Sequence, residues 1–182
     1  MAAPRTRFAL PQRVLHWLMA ACILAMLFIG VGMIATVSQK YLTLMQIHRT
    51  LGIAILVLAL IRLTLRLVYG SPALPSDLPI PLKLAAESSQ YIFYLLMIGM
   101  PLIGWGMLSA ASHPVTLFGG VHIFPILPVN AQLYTLLQHA HYYLAFAFFA
   151  LILAHMAGLL FHRLVRNDGV FETMGPRFGK DA

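Results

Sequence analysis

The stretch that decides the fold is residues 138–165, which read QHAHYYLAFAFFALILAHMAGLLFHRLV. Histidines interrupt it, but nearly all of the remaining residues are apolar. An apolar run of this length is typical of a membrane-spanning helix, which needs about 20 residues to cross the hydrocarbon layer. The run lacks the alternation of a barrel strand. It therefore predicts a transmembrane helix that carries histidines at membrane depth.

Three further apolar stretches resemble it, at about residues 14–37, 44–69 and 88–110. Of the 182 residues 60% are hydrophobic and 9% are charged, whereas soluble domains carry about 25% charged residues. This composition excludes an ordinary soluble enzyme and a disordered tail. We predict an all-α integral membrane four-helix bundle, a single domain over residues 1–182. The first stretch is too long for the apolar region of a signal peptide.

The positive residues predict the orientation of this multi-pass chain. Two of the 12 Lys and Arg residues lie on one side: Lys40 in the first loop, and Arg49 near the start of the second stretch. The other ten share the opposite side: Arg5, Arg7, Arg13, Arg62, Arg66, Lys83, Arg163, Arg166, Arg177 and Lys180. The positive-inside rule then places both termini in the cytoplasm. Since membrane orientation accounts for the basic residues, no nucleic-acid partner is predicted.

The connection after the third stretch, residues 112–137, has no Lys, Arg, Asp or Glu. Within it, residues 131–137 are expected to form a short interfacial helix. The connection at residues 70–81 is rich in proline, which ends the second helix.

Four histidines lie inside the predicted spans, namely His16, His48, His141 and His155. The 14 residues between His141 and His155 correspond to about 21 Å and nearly four helical turns, so both share one face. His16 matches the depth of His155, and His48 matches that of His141. The pattern predicts two bis-histidine sites stacked across the membrane. The alternative is histidines that only hydrogen-bond neighbouring helices.

Haem suits such pairs better than zinc does. Zinc takes three or four ligands from His, Cys and carboxylate, and neither depth offers a carboxylate. Haem takes axial ligands from opposite sides of its ring. The single cysteine, Cys22, forms no CxxCH motif, so covalent attachment is excluded. We predict two non-covalent b-type haems, held by His16 with His155 and by His48 with His141.

Arginines near these histidines are candidates for binding the haem propionates. Arg62 follows His48 by 14 residues and Arg66 follows it by 18, so both lie on its face, near the inner haem. Arg49 adjoins His48 and suits the outer haem. For Arg62 the alternative is a side chain that only anchors the helix at the lipid surface. For Arg66 we prefer that interpretation.

Two other histidines bear on function. His139 competes with His141 as a ligand, although its spacing from His155 fits a helix less well. His162 follows His155 by seven residues, about 10 Å nearer the cytoplasm, and is a candidate for contacting a quinone or relaying a proton. The alternative is a histidine that interacts favourably with the helix dipole.

Four motifs in order resemble the bacterial cytochrome b561 family: RVLHW around His16, QIHRTLG around His48, IRLTLRL around Arg62, and the pair His141 and His155. The likeness covers about residues 12–176. It implies a cytoplasmic-membrane protein with four helices and two b haems. Some members resemble a superoxide:quinone oxidoreductase that passes electrons to ubiquinone, with a histidine matching His162 at the quinone end. Residues 87–90 (ESSQ) depart from members that have a histidine there.

The resulting functional hypothesis is a probable oxidoreductase that oxidises superoxide and reduces ubiquinone, with membrane lipid as its surroundings. Lys40 and Arg49 are the candidate catalytic residues on the outer side, because their charges attract an anion. The alternative is a cytochrome b anchor subunit that passes electrons between quinone and a soluble redox partner. A non-redox transporter or assembly factor is a third hypothesis.

Overall fold

The computed structural model describes residues 6–36 and 38–175. Four helices in this part of the chain are long and apolar enough to cross a membrane. They are α1 (Leu10–Ile34), α2 (Lys40–Tyr69), α3 (Ile80–Ala110) and α4 (Ala131–Leu160). The chain continues from α4 through a π-helical segment (Phe161–Arg166) to the short helix α5 (Val170–Met174). The predicted four-helix membrane fold is confirmed.

All four helices begin earlier than the apolar stretches predicted, and in α3 and α4 local features of the helix N-terminus, rather than hydropathy, set the start. α3 begins at Ile80 instead of residue 88, and Pro81 occupies its first turn, where a missing N–H costs nothing. α4 begins at Ala131 instead of residue 138, since the Asn130 side chain accepts a hydrogen bond from the Leu133 N–H at 2.9 Å. Residues 131–137 are therefore the first turns of α4, and the separate interfacial helix was wrong.

The other two bounds also shift by a few residues. α1 runs from Leu10 to Ile34 instead of residues 14–37. α2 begins at Lys40 instead of residue 44, which makes Lys40 a helical residue and not a loop residue.

The helices form two close pairs, α1 with α2 and α3 with α4, joined by packing of α2 on α3. α4 makes at most isolated close backbone approaches to α1 and α2. The buried core lies around the middle of the bundle and consists of Leu15, Met19, Ala59, Leu96, Met97 and Phe148. Side chains must therefore bridge the space between α4 and the α1–α2 pair.

A small hairpin covers the outer end of the bundle, the end opposite both termini. Its strands β1 (Val115–Thr116) and β2 (His122–Ile123) pair antiparallel. The hairpin is tied to α2: Gln46 donates to the Thr116 carbonyl at 2.9 Å, and Thr50 Oγ1 accepts from the Phe118 N–H at 3.2 Å. Sequence analysis did not predict these strands.

The inner end, which carries the described parts of both termini, is closed by side chain to backbone hydrogen bonds. The buried Gln12 donates to the Gly70 carbonyl at 3.0 Å and fixes α1 to the end of α2. Arg13 donates to the Gly175 carbonyl at 3.0 Å, and Trp17 donates to the Met174 carbonyl at 3.2 Å. The segment around α5 is thus held against the start of α1. Arg5, Arg177 and Lys180 lie outside the described residues.

Candidate functional site

The inner pair of histidines meets across the space between α1 and α4. The ring centres of His16 and His155 are 6.5 Å apart, with the ring planes at 66°. Phe93 of α3 lies edge-on to His155 at 5.2 Å. Phe93 also contacts Phe148, at 6.0 Å. An aromatic contact therefore links the inner pair to the core.

The outer pair is formed by α2 and α4. The ring centres of His48 and His141 are 6.1 Å apart, with the planes at 65°. Gly104 of α3 makes room for His141, because a Cβ built on Gly104 would lie 3.3 Å from Cε1 of the imidazole. The outer pair thus depends on the absence of a side chain at Gly104.

Both separations suit a metal ion held between two opposed imidazoles. Metal–histidine bonds are about 2 Å long, so an ion between two rings separates their centres by roughly 6 Å. The described residues contain no group of three or more His, Cys, Asp or Glu side chains that would complete a zinc-type site. Two axial nitrogens in an apolar surrounding are the donor set of a b-type haem.

Unsatisfied nitrogens test this fit further. Four buried side-chain nitrogens in the described part of the chain have no hydrogen-bond partner of good geometry, and three of them belong to His48, His141 and Arg49. The Met100 carbonyl does lie close enough to His141 to act as a backbone acceptor. A buried polar atom without a partner is costly. The outer pair is therefore the place where a carboxylate-bearing group, such as a haem propionate, would satisfy a buried cation.

The inner pair has its own cation. Arg62 lies within electrostatic range of both His16 and His155. It lies close to the Tyr94 side chain and donates to the Gln12 carbonyl at 3.4 Å. The structure thus places Arg62 beside the inner pair, as the helical spacing predicted, while its role toward a propionate stays a prediction.

Comparison with known proteins agrees with this geometry. A family model described as prokaryotic cytochrome b561 matches residues 7–177. The chain belongs to this family. It is accordingly a multi-pass protein of the inner membrane that binds b-type haem and carries out transmembrane electron transfer.

Individual relatives give more detail. Cytochrome b561 homolog 1 of Escherichia coli K12 is 27% identical over 94% of this chain and 98% of the relative. Cytochrome b561 homolog 2 of the same strain is 25% identical over 92% of this chain and 90% of the relative. A protein of Yersinia pestis named probable superoxide oxidase CybB is 31% identical over 72% of this chain and 74% of the relative. The family resemblance is confirmed, and with it the oxidoreductase class.

The remaining predicted site residues lie away from the two pairs. Lys40 is exposed at the start of α2. His139 is exposed and lies 6.5 Å from the Tyr143 ring, so it does not face another histidine of the described residues. Arg66 donates to the Gln90 side chain at 2.9 Å, which is more specific than the lipid-surface anchor we preferred. His162 contacts Asp168, a residue that sequence analysis did not single out.

Sequence analysis also missed Tyr94, Phe93 and Gly104. Nothing in the local pattern marks Tyr94 or Phe93, because each acquires its role only from a residue on another helix. Gly104 does carry a weak signal, since a glycine in an apolar helix can indicate close approach of another element. Asp168 carried a stronger signal, since it is one of only five acidic residues in the chain.

We predict that the cytochrome contains two haems, and that each haem is lost when either histidine of its pair is replaced. His16→Ala and His155→Ala should each remove the inner haem, and His48→Ala and His141→Ala the outer one, because removing one axial nitrogen abolishes that site. Haem content and the absorption spectrum of each purified variant measure this. His139→Ala is the matched control and should keep both haems. Loss of the outer haem in His139→Ala, with retention in His141→Ala, would contradict the assignment.

We predict further that Gly104→Val weakens the outer haem alone. The new side chain enters the space of the His141 ring, and overpacking of this kind costs about 1–3 kcal/mol. Gly99→Val is the control, because a Cβ at Gly99 meets nothing within 4 Å, and both substitutions put the same residue into α3. Resistance to haem extraction compares them. Equal haem retention in the two variants would argue against close packing of His141 on Gly104.

Proposed function

We propose that this cytochrome oxidises superoxide at the outer end and reduces ubiquinone at the inner end, through two b-type haems. The observation that carries the proposal is the stack of two opposed histidine pairs, with Arg49 beside the outer pair and His162 beyond the inner pair. The relative named probable superoxide oxidase CybB supports the choice of donor. The overall reaction takes one electron from each of two superoxide ions, releases two O₂, and adds two electrons and two protons to the quinone.

The roles of the histidines and arginines follow from their positions. His48 and His141 would hold the outer haem, and His16 and His155 the inner one. Haem supplies reversible one-electron chemistry. With two histidines to hold each haem, no open iron position would remain for oxygen, which favours electron transfer over ligand binding. Arg49 and Arg62 would pair with propionates, since each lies beside one histidine pair.

The outer end suits an anionic donor. Of the five acidic residues, Asp77, Glu87, Asp168 and Glu172 lie toward the inner end, and Asp181 lies outside the described residues. Lys40 lies at the outer end of the bundle, and Arg49 follows His48 directly. Lys40 is also the first residue of α2, so its charge adds to the partial positive charge of the helix N-terminus. The field near the outer histidine pair is therefore positive, which speeds the encounter with a small anion.

The outer loop favours a small donor over a large protein. The hairpin is bonded back to α2 through Gln46 and Thr50, which flank His48 and Arg49. The hairpin is thus held against α2 beside these two residues. Superoxide needs only brief contact near the haem edge, so this arrangement supports it over the anchor-subunit alternative.

The inner end suits a quinone. His162 follows His155 by seven residues and lies nearer the inner end of the bundle. A cavity of about 160 Å³ is lined by His162, Arg163, Asn167, Gly169 and Glu172. Residues 87–90 contain no histidine, and Gln90 accepts a hydrogen bond from Arg66 at 2.9 Å. His162 is thus the histidine of this end that we assign to quinone reduction.

The direct experiment follows both halves of the reaction. Purified oxidised cytochrome with its haems is mixed with a superoxide source, and haem reduction is recorded by absorbance. A short-chain ubiquinone is then added, and haem reoxidation and quinol formation are recorded. We expect reduction by superoxide and reoxidation by quinone, with one quinol per two electrons. A protein that superoxide does not reduce, but that quinol or a soluble redox protein does, would support the anchor-subunit alternative.

We predict that Lys40→Glu slows haem reduction by superoxide and weakens its dependence on salt, while both haems remain bound. Two unit charges about 10 Å apart interact by under ~1 kcal/mol in a high-dielectric setting, so we expect a several-fold effect. Arg49→Glu should slow reduction more and also loosen the outer haem. Stopped-flow reduction rates against ionic strength measure this.

The matched control reverses the same charge at the inner end. Lys83→Glu alters a lysine that donates to the Ser76 carbonyl, far from the outer histidine pair along the chain. Superoxide should reduce the haems of this variant at the parent rate. Parent rates at low salt for both Lys40→Glu and Arg49→Glu would mean that superoxide does not enter by this route.

A further inference from the structure

The most heavily bonded polar group at the inner end is the carboxylate of Asp168. Its Oδ2 accepts from His162 Nδ1 at 2.7 Å and from Arg166 Nε at 2.8 Å, and its Oδ1 accepts from the Val170 N–H at 3.3 Å. The side chains of His162 and Asp168 are only 14% and 10% exposed. A histidine held in this way has one ring nitrogen committed, which leaves Nε2 for another partner.

The backbone is shaped to bring these two side chains together. The π-helical segment Phe161–Arg166 carries His162 at the end of α4, and such segments are often found at functional sites. Asn167 (φ 48°) and Gly169 (φ 77°) then take left-handed conformations on either side of Asp168. The chain reverses here, so the carboxylate returns to the imidazole one turn back.

We infer that Asp168 is a positioning residue that orients His162 and holds it as the proton donor to the quinone. This rests on the proposed function, because it assigns the proton supply for the same quinone. Each quinone takes up two electrons and two protons to become quinol. The electrons arrive through the haem path, and the chain must deliver the protons. His162 gives a proton from Nε2 and takes another from water in the cavity that it lines.

The charges around the dyad favour this role. On the π-helical segment, Arg163 pairs with Glu172 of α5 and Arg166 pairs with both Asp168 and Asp77. Burial alone raises the pKa of Asp168, but the hydrogen bonds from Arg166 and His162 outweigh it and lower the pKa. The carboxylate therefore stays ionised at neutral pH. The ionised carboxylate accepts from His162 Nδ1 at 2.7 Å and thereby fixes the orientation of the ring.

The test uses Asp168→Asn in the haem-loaded protein. Asparagine has nearly the same shape and keeps one acceptor oxygen, but it loses the negative charge and one of the two acceptor oxygens. We expect the rate of haem reduction by superoxide to stay at the parent value. Haem reoxidation by a short-chain ubiquinone should fall about tenfold at pH 7.

The pH profile of haem reoxidation distinguishes proton supply from a structural role. It should change in Asp168→Asn, because the ionised carboxylate that holds His162 at 2.7 Å is lost. Asp168→Glu, which restores a carboxylate acceptor, should recover part of the rate.

Asp77→Asn is the matched control. It removes a carboxylate 2.6 Å from Arg166, in the same network, without touching His162. It should keep the parent rate and pH profile. Parent behaviour in Asp168→Asn, or an equal loss in Asp77→Asn, would overturn the assignment of Asp168. A parent protein that superoxide reduces but quinone does not reoxidise would overturn the quinone-reducing function itself and this role with it.

Discussion

Two imidazoles on one face of α4, those of His141 and His155, oppose the imidazoles of His48 on α2 and His16 on α1. The arrangement of the helices depends on these two contacts. In an apolar layer a polar nitrogen without a partner is costly, so each histidine needs a ligand or a hydrogen bond. α4 packs closely on α3 and hardly on α1 or α2. The rings, rather than the backbones, therefore bridge the bundle. A b-type haem held at each pair would supply the packing that these helices do not give each other.

The separation of the two sites follows from the core. Phe148 lies seven residues from His141 and seven from His155, and it is buried with Met19, Ala59 and Leu96 between the two pairs. This apolar layer keeps water out of the middle of the bundle. The contact of Phe93 with both Phe148 and His155 extends it to α3. The two histidine pairs thus consist of different residues but contact the same apolar core.

Regular helical geometry explains what the sequence could predict. The spans and the two histidine pairs depend only on hydropathy and on the helical repeat of 3.6 residues per turn. Neither of these properties depends on the conformation of the loops. The starts of α3 and α4 depend on Pro79 and Asn130, whose capping roles are local but were outweighed by the hydropathy of later residues. The contact of Arg62 with Tyr94 required a third helix, which periodicity along one chain does not specify.

The inner end depends on irregular geometry instead. Continued as an α-helix, residue 162 would lie on nearly the face of His155, seven residues earlier, and Asp168 would be a turn and a half further along. A π-helical turn takes one extra residue, so the residues that follow it rotate around the axis. With the reversal at Asn167 and Gly169, that rotation returns the Asp168 carboxylate to His162. Under the proposed function, electron transfer and proton supply would thus depend on opposite properties of one helix. Regular geometry sets the depth of His141 and His155, and a local break in regularity brings Asp168 to His162.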